Sequence, residues 1–360
     1  MHNRGPAAIL ASMLYLLSQF EDVFGPLRLL GSYSFLIVIG LYLSFFLTIF
    51  FLPKFSPRLP NDGGRDFAVD GETSKGKPTG AGIVFILIFI FASLITVPIN
   101  IEILSVLFIA LLTALTGYLD DRSAVPWGEY KKGLLDFILA AGTAVILVAV
   151  DGTTVWLPFS SQTYELSKPL FAMLTTGVIW ISINTTNCSD GVDGLSGTLV
   201  LICLITIGTI FYFILGHIKI SEYLLLPHFA DGAKWAILTF TLTGALLAYL
   251  WYNAFPSSIL MGDAGSRALG YFIGVAVMKT GNPFLLIIVS TVLLVNGGTG
   301  LIKVAFLRFL KIKIFHNTRF PLHDHVRENR KWSNTQVLMK FVILQLLITT
   351  GFLGIILKIR

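Results

Sequence analysis

Charge is scarce in this chain. Only 13% of its 360 residues are Asp, Glu, Lys or Arg, about half the share usual in a soluble domain. A sequence that is also 55% hydrophobic has more apolar surface than a soluble core absorbs, and a bilayer is the solvent that takes it. Cysteine is scarcer still. Cys188 and Cys203 are the only two, one at an expected loop and one inside an expected helix, so neither a disulfide framework nor a cysteine metal site follows. No removable leader is expected. The run Ala7–Leu17 is short, follows a single Arg4 and enters Ser18-Gln19-Phe20-Glu21-Asp22 without a small-residue cleavage site; it reads as an interfacial helix. There is no internal repeat. The net charge of +6 does not point to nucleic acid, because the basic residues alternate with apolar runs; a membrane surface and anionic substrates explain them.

Long apolar runs cover about 32–52, 80–98, 102–119, 133–150, 169–184, 195–215, 234–252, 267–279, 282–307 and 336–357. At roughly 20 residues per crossing, these predict an all-α integral membrane protein of about ten transmembrane helices, one polytopic domain over 1–360. The ninth run is interrupted by Asn296-Gly297-Gly298, which predicts a bend. Lys and Arg concentrate in 53–79 (Arg65 among them), 120–132, 185–194, 253–266 and 308–335. The positive-inside rule puts these five loops in the cytoplasm and both termini on the periplasmic side. Thr153–Leu157 is β-branched and aromatic, which predicts a small outward hairpin with the residues just after it.

The chemistry-bearing residues all fall in the basic loops. Asp120-Asp121 closes the third run, and adjacent carboxylates repel unless they are solvated, protonated or bound to a cation. Asn187-Cys188-Ser189-Asp190-Gly191-Val192-Asp193-Gly194 sets two carboxylates three apart beside glycines, without the downstream ligands of an EF-hand. Asn253-Ala254-Phe255-Pro256 precedes Met261-Gly262-Asp263-Ala264-Gly265-Ser266; a helix beginning at Gly265-Ser266 offers free N–H groups to a phosphate. Arg319 to Arg327, in the longest basic loop, carries the His-x-His pair His323-Asp324-His325, for metal or phosphate. Ser74 to Gly82, with Lys77 and Thr79, is basic and glycine-rich, but its lysines precede the glycines, unlike a Walker A loop. Each stretch alone also reads as a solvated helix end, a tight turn or a surface loop. Together, Asp120, Asp121, Asp190, Asp193 and Asp263 gather at the same ends of the helices from three loops. That suits Mg²⁺, which takes one or two carboxylates and leaves its other positions to phosphates and water.

Gly117 to Asp121, Asn187 to Gly194, Asn253 to Pro256 and Met261 to Ser266 resemble, in order, the signature stretches of the polyprenyl-phosphate N-acetylhexosamine-1-phosphate transferases. Within them the chain is most similar to the phospho-N-acetylmuramoyl-pentapeptide transferases, on its length, on Lys77-Pro78-Thr79 and on the Pro-x-His-x-His loop. That resemblance implies a multi-pass enzyme of the bacterial inner membrane with its active site facing the cytoplasm. It implies UDP-MurNAc-pentapeptide and undecaprenyl phosphate as substrates, lipid I and UMP as products, Mg²⁺ as cofactor, and a homodimer as one allowed assembly. It also implies roles: Asp263 as main Mg²⁺ ligand with Asp190 beside it, Asp120 as base, Asp121 as support, and His323 near the reacting phosphates. Lys77, Thr79, Lys132, Asn187, Asp190, Asp193, Asn253, Ser266 and His325 are its substrate-binding residues. Three departures stand out: His323-Asp324-His325 replaces three histidines, Gly80-Ala81-Gly82 replaces Met-Gly-Gly, and Arg122 or Lys132 stands in for a lysine after the aspartate pair. A GlcNAc-1-phosphate transferase and, more remotely, a secondary transporter using Asp136 in the fourth span are the alternatives. Direct attack and a covalent phospho-aspartate both remain open, as do the roles of Asp136, Asn296 and Lys303.

Overall fold

The computed structural model describes residues 13–64, 69, 71–160 and 162–358. Of the expected interfacial helix, Met13–Leu17 is helical; residues 7–12 lie outside the described residues, as does Arg65. The apolar runs fold as helices because hydrocarbon offers backbone groups no partner, so each segment satisfies its own N–H and C=O groups. They are α1 (Tyr33–Phe55), α2 (Gly82–Thr96), α3 (Ile101–Asp121), α4 (Glu129–Val150), α5 (Lys168–Cys188) and α6 (Leu195–Leu215). After them come α7 (Gly232–Asn253), α8 (Gly262–Lys279), α9 (Thr291–Leu310), the short α10 (Leu322–Arg330) and α11 (Asn334–Lys358).

Among the described residues, eight helices are long and apolar enough to cross a membrane: α1, α3 to α7, α9 and α11. The other two expected spans differ in kind. α2 has 15 residues, short of the roughly 20 a crossing needs. α8 has 18 and carries Asp263, Arg267 and Lys279. Between those charges α8 is apolar around its whole circumference, and such a helix must be surrounded. Every α8 residue except Asp263 is buried, with α3 and α5 packed most closely on it and α2 and α6 completing the sheath. Its 18 residues extend about 27 Å, from the end that carries Asp263 to the far face. There Lys279 Nζ lies 2.5 Å from Glu102 Oε1 and 2.6 Å from Asp151 Oδ2. The predicted hairpin sits on that far face. β1 (Thr154–Trp156) pairs antiparallel with β2 (Thr163–Glu165), and buried Trp156 donates from Nε1 to the Thr280 carbonyl at 2.8 Å.

The ninth run is irregular where the glycines predicted it. Leu294–Gly298 winds as a π turn, and a second π turn covers Phe306–Leu310. A further break at Ser290 separates the helix Leu285–Val289 from α9. The groups freed there are met by Gln345 of α11: its Nε2 donates to the Ile288 and Val289 carbonyls at 2.9 and 3.0 Å, and its Oε1 accepts the Val292 N–H at 2.9 Å. Gln345 is fully buried. Gln345→Leu leaves the buried Val292 N–H unpaired, at about 1–3 kcal/mol for such a group, and takes one donor from the Ile288 and Val289 carbonyls, which keep Thr349 Oγ1 and Cys203 Sγ. The expected result is a melting temperature in detergent several degrees below that of the parent, which thermal denaturation reads directly.

Candidate active site

α3 ends in two aspartates that face different ways, since successive helical residues point about 100° apart. Asp121 turns to α8. Its Oδ1 accepts the Asp263 N–H at 2.9 Å and its Oδ2 the Ala264 N–H at 3.0 Å. A carboxylate on the first free N–H groups of a helix is a cap and also meets the positive end of its dipole. α8 therefore begins at Gly262, three residues before the expected Gly265, and the first-turn donors expected to meet a phosphate are taken by Asp121. The approach requires glycine. A Cβ on Gly117 of α3 would lie 2.5 Å from the Ala264 nitrogen and the Asp263 carbonyl, and one on Gly82 of α2 would run into the Gly265 nitrogen.

Asp120 turns the other way. Its Oδ1 accepts the Trp127 N–H at 2.6 Å, and its Oδ2 lies 2.6 Å from Lys132 Nζ. The same ammonium donates to Asp263 Oδ2 at 2.9 Å. Three segments thus bring two carboxylates onto one cation. Of the two residues expected to replace the missing lysine, Lys132 makes this contact, while Arg122 is exposed. Neighbouring Lys131 lies over the Trp127 ring instead.

Beside this cluster opens a cleft lined by Lys77, Thr79, Asp190, Asp193, Asn253 and Gly262, among others. Ser257 organises its wall. Asp193 accepts from the Ser257 N–H at 2.9 Å and from its hydroxyl at 2.8 Å, and Lys77 Nζ donates to Ser257 Oγ at 3.1 Å. Asn253 clamps two loops, accepting the Gly194 N–H and donating to the Ile259 carbonyl, both at 2.9 Å. Asn187 lies in the last turn of α5, where its carbonyl accepts the Asp190 N–H. Ser266 is placed differently: it is buried inside α8 with its hydroxyl on the Gly262 carbonyl at 3.0 Å, and it is not among the cleft-lining residues.

His323 is buried at the start of α10. Asn296, in the π turn of α9, accepts the His323 N–H on Oδ1 at 2.9 Å, and the imidazole Nδ1 is 3.1 Å from Asn296 Nδ2. The ring lies against Gly191, where a Cβ would collide with His323 Nε2. This answers the question left by Asn296: the polar residue in the ninth span anchors the histidine loop. His325, expected on a loop, lies in α10 as well, with Nδ1 2.8 Å from Asn329 Nδ2 one turn along the helix. Lys303 donates to the Thr318 carbonyl at 2.8 Å, and so braces the same loop. Burial pushes the Asp324 carboxyl above the usual carboxylate range, against the pull of Arg319 and Arg327. Arg327 also lines the cleft and donates to the Val69 carbonyl at 2.9 Å. Arg327, Asp62 and Asn334 line the cleft, and Ser257 joins two of its lining residues; of these only Arg327, at the end of the His-x-His stretch, lies in a motif, and the motif gives it no role. Asp136 pairs with Arg267 inside the membrane region. Among the described residues, no three His, Cys, Asp or Glu side chains gather at one metal position.

The glycosyl transferase family 4 pattern matches residues 103–281, from α3 through α8. The phospho-N-acetylmuramoyl-pentapeptide-transferase of Treponema pallidum (strain Nichols) is 51% identical over 351 residues, 97% of each chain. The protein of the same name from Helicobacter hepaticus is 30% identical over 361 residues, covering 93% of this chain and 97% of its own. That of Helicobacter pylori (strain J99) is 29% identical over 330 residues, 86% and 90% of the two chains. With half its residues shared along nearly its whole length, the chain belongs to the phospho-N-acetylmuramoyl-pentapeptide transferase family.

Proposed function

We propose that this chain moves phospho-MurNAc-pentapeptide from UDP-MurNAc-pentapeptide to undecaprenyl phosphate, giving lipid I and UMP. The observation that carries this reading is the convergence of Asp120 and Asp263 on Lys132 beside a cleft lined by Lys77, Asp190, Asp193 and Arg327. A diphosphate needs cations, and phosphoryl transfer needs chiefly positioning and charge neutralisation. In this reading a phosphate oxygen of the lipid forms a bond to the β-phosphorus, and the bond from that phosphorus to the oxygen retained by UMP breaks with its electron pair. Both site carboxylates are held by an ammonium, which suits management of charge and favours direct attack over a phospho-aspartate. Asp120 takes the proton from the lipid phosphate, Lys132 meets the charge that builds on the transferring group, and Lys77 and Arg327 hold the donor.

The same residues fit a divalent cation, since two carboxylates from separate segments already accommodate a positive charge between them. Asp263 would hold Mg²⁺, with Asp190 on the cleft side and Asp120 left to Lys132, and one or two carboxylates are all that Mg²⁺ ordinarily takes from a protein. When bound, Mg²⁺ neutralises the diphosphate and the leaving UMP. The basic loops at this end support a site that faces the cytoplasm of a bacterium, the chain making ten passes of the inner membrane with α2 as a short one and α8 as a shielded one.

Release of UMP by the purified protein, with undecaprenyl phosphate and Mg²⁺, tests the reading. Turnover with UDP-MurNAc-pentapeptide that stops on adding a chelator is the expected outcome. Turnover with UDP-GlcNAc in its place would assign a different sugar. Turnover that continues in chelator would sink the metal proposal.

A further inference from the structure

Beneath the Lys132–Asp263 contact lies a second ion pair that the reaction itself does not use. Asp136 follows Lys132 by four residues on α4, and Arg267 follows Asp263 by four on α8, so each stands about one turn deeper on the same helix face. Arg267 Nε and Nη2 donate to Asp136 Oδ1 at 3.0 and 2.5 Å. Deeper again, the Thr143 and Tyr271 hydroxyls are 3.0 Å apart. The signs alternate: α4 supplies the cation at the first rung and the anion at the second. α4 and α8 are not among the helix pairs whose backbones pack closely, so side chains join them: these polar ones and, deeper, the apolar cluster that holds Leu147 and Met278.

As a stabiliser the pair is poor. Both side chains are almost fully buried, and the desolvation of two charges commonly cancels their attraction, so that well-packed apolar replacements cost little. Arg267 Nη1 has no hydrogen-bond partner among the described residues, a further cost. What such a pair supplies well is register, because a one-turn slip would set like beside like. We infer that Asp136 and Arg267 are positioning residues for the transfer: their ion pair sets α4 against α8 so that Lys132 stays between Asp120 and Asp263. The inference rests on the transferase reading for its kinetic consequence, but not for its structural one.

The test compares the parent protein with the double variant Asp136→Leu/Arg267→Met and with Asp136→Glu. Three quantities are read: the melting temperature, UMP-release kinetics, and acylation of Lys132 by an amine-reactive ester, followed by mass spectrometry. The expected double variant is folded, with kcat down about tenfold or more, KM for the donor within about threefold, and Lys132 acylated about threefold faster. Asp136→Glu keeps the pair and should return both readouts to near the parent values. Unchanged acylation of Lys132 in the folded double variant overturns the inference, as does a parent-like kcat. If the apolar pair does not fold, Arg267→Lys loses the two-pronged contact while keeping the charge and carries the same comparison. A parent protein inactive with every donor would defeat the transferase reading, whereas the acylation result would still decide whether the pair sets the register.

Discussion

Asp263→Asn should lower UMP release by roughly 10²–10³-fold while leaving the protein folded. The substitution keeps the size of the side chain and removes one negative charge. The fold has little reason to respond, because the Asp263 contribution to α8 is its backbone N–H, which still meets Asp121, and Lys132 still pairs with Asp120. The reaction has every reason to respond, because a neutral amide holds neither the ammonium nor a divalent cation as a carboxylate does. Asp121→Asn is the informative contrast. Both Asp121 oxygens accept backbone N–H groups of α8, so an amide, whose nitrogen cannot accept, loses part of a helix cap, about 1 kcal/mol. Its melting temperature should fall, and its activity should be lost less than that of Asp263→Asn. Kinetics and melting of the two variants side by side decide the matter; equal losses of kcat would mean that Asp121 takes part in the chemistry directly.

Gly117→Leu should prevent the bundle from assembling. The first side-chain carbon alone would sit 2.5 Å from three backbone atoms of Asp263 and Ala264. Backbone in a helix packed on all sides cannot give way as a flexible side chain can. Overpacking of this kind costs about 1–3 kcal/mol even where neighbours adjust, and here a bulkier group must force α3 away from α8. Gly117→Ala, the milder change, is expected to lower the melting temperature and to remove more activity than stability, because any separation of α3 from α8 carries Asp120 away from Asp263. Gly142→Ala in α4 is the control: a Cβ there meets nothing within 4 Å, and neither property should change. A Gly117→Ala protein with parent melting and turnover would show that the two helices do not need this contact.

The eight long helices were legible in the residues alone, because bilayer burial is a local matter of some twenty apolar residues that each segment meets by itself; the start of α8 and the helix α10 were not. The shared end of Asp120, Asp121, Asp190, Asp193 and Asp263 was legible too, because charges sort to span ends. So was the irregularity of the ninth span, since Asn296-Gly297-Gly298 interrupts an apolar run. The work of each polar residue came from the packing of the chain. Asp120 and Asp121 are adjacent letters, yet one meets Lys132 and the other caps α8, with partners up to 143 positions away. Lys131 and Lys132 divide in the same way between Trp127 and the carboxylates. Asn296 reads as an isolated polar residue until the fold brings His323 to it, and Asp136 as a lone intramembrane acid until Arg267 faces it. The physical reason is common to all four. Helix formation depends on neighbours in the chain, whereas a hydrogen bond or ion pair in a dry interior depends on which helix lies opposite, and that is settled by packing, as at the glycine contacts of α2 and α3 with α8.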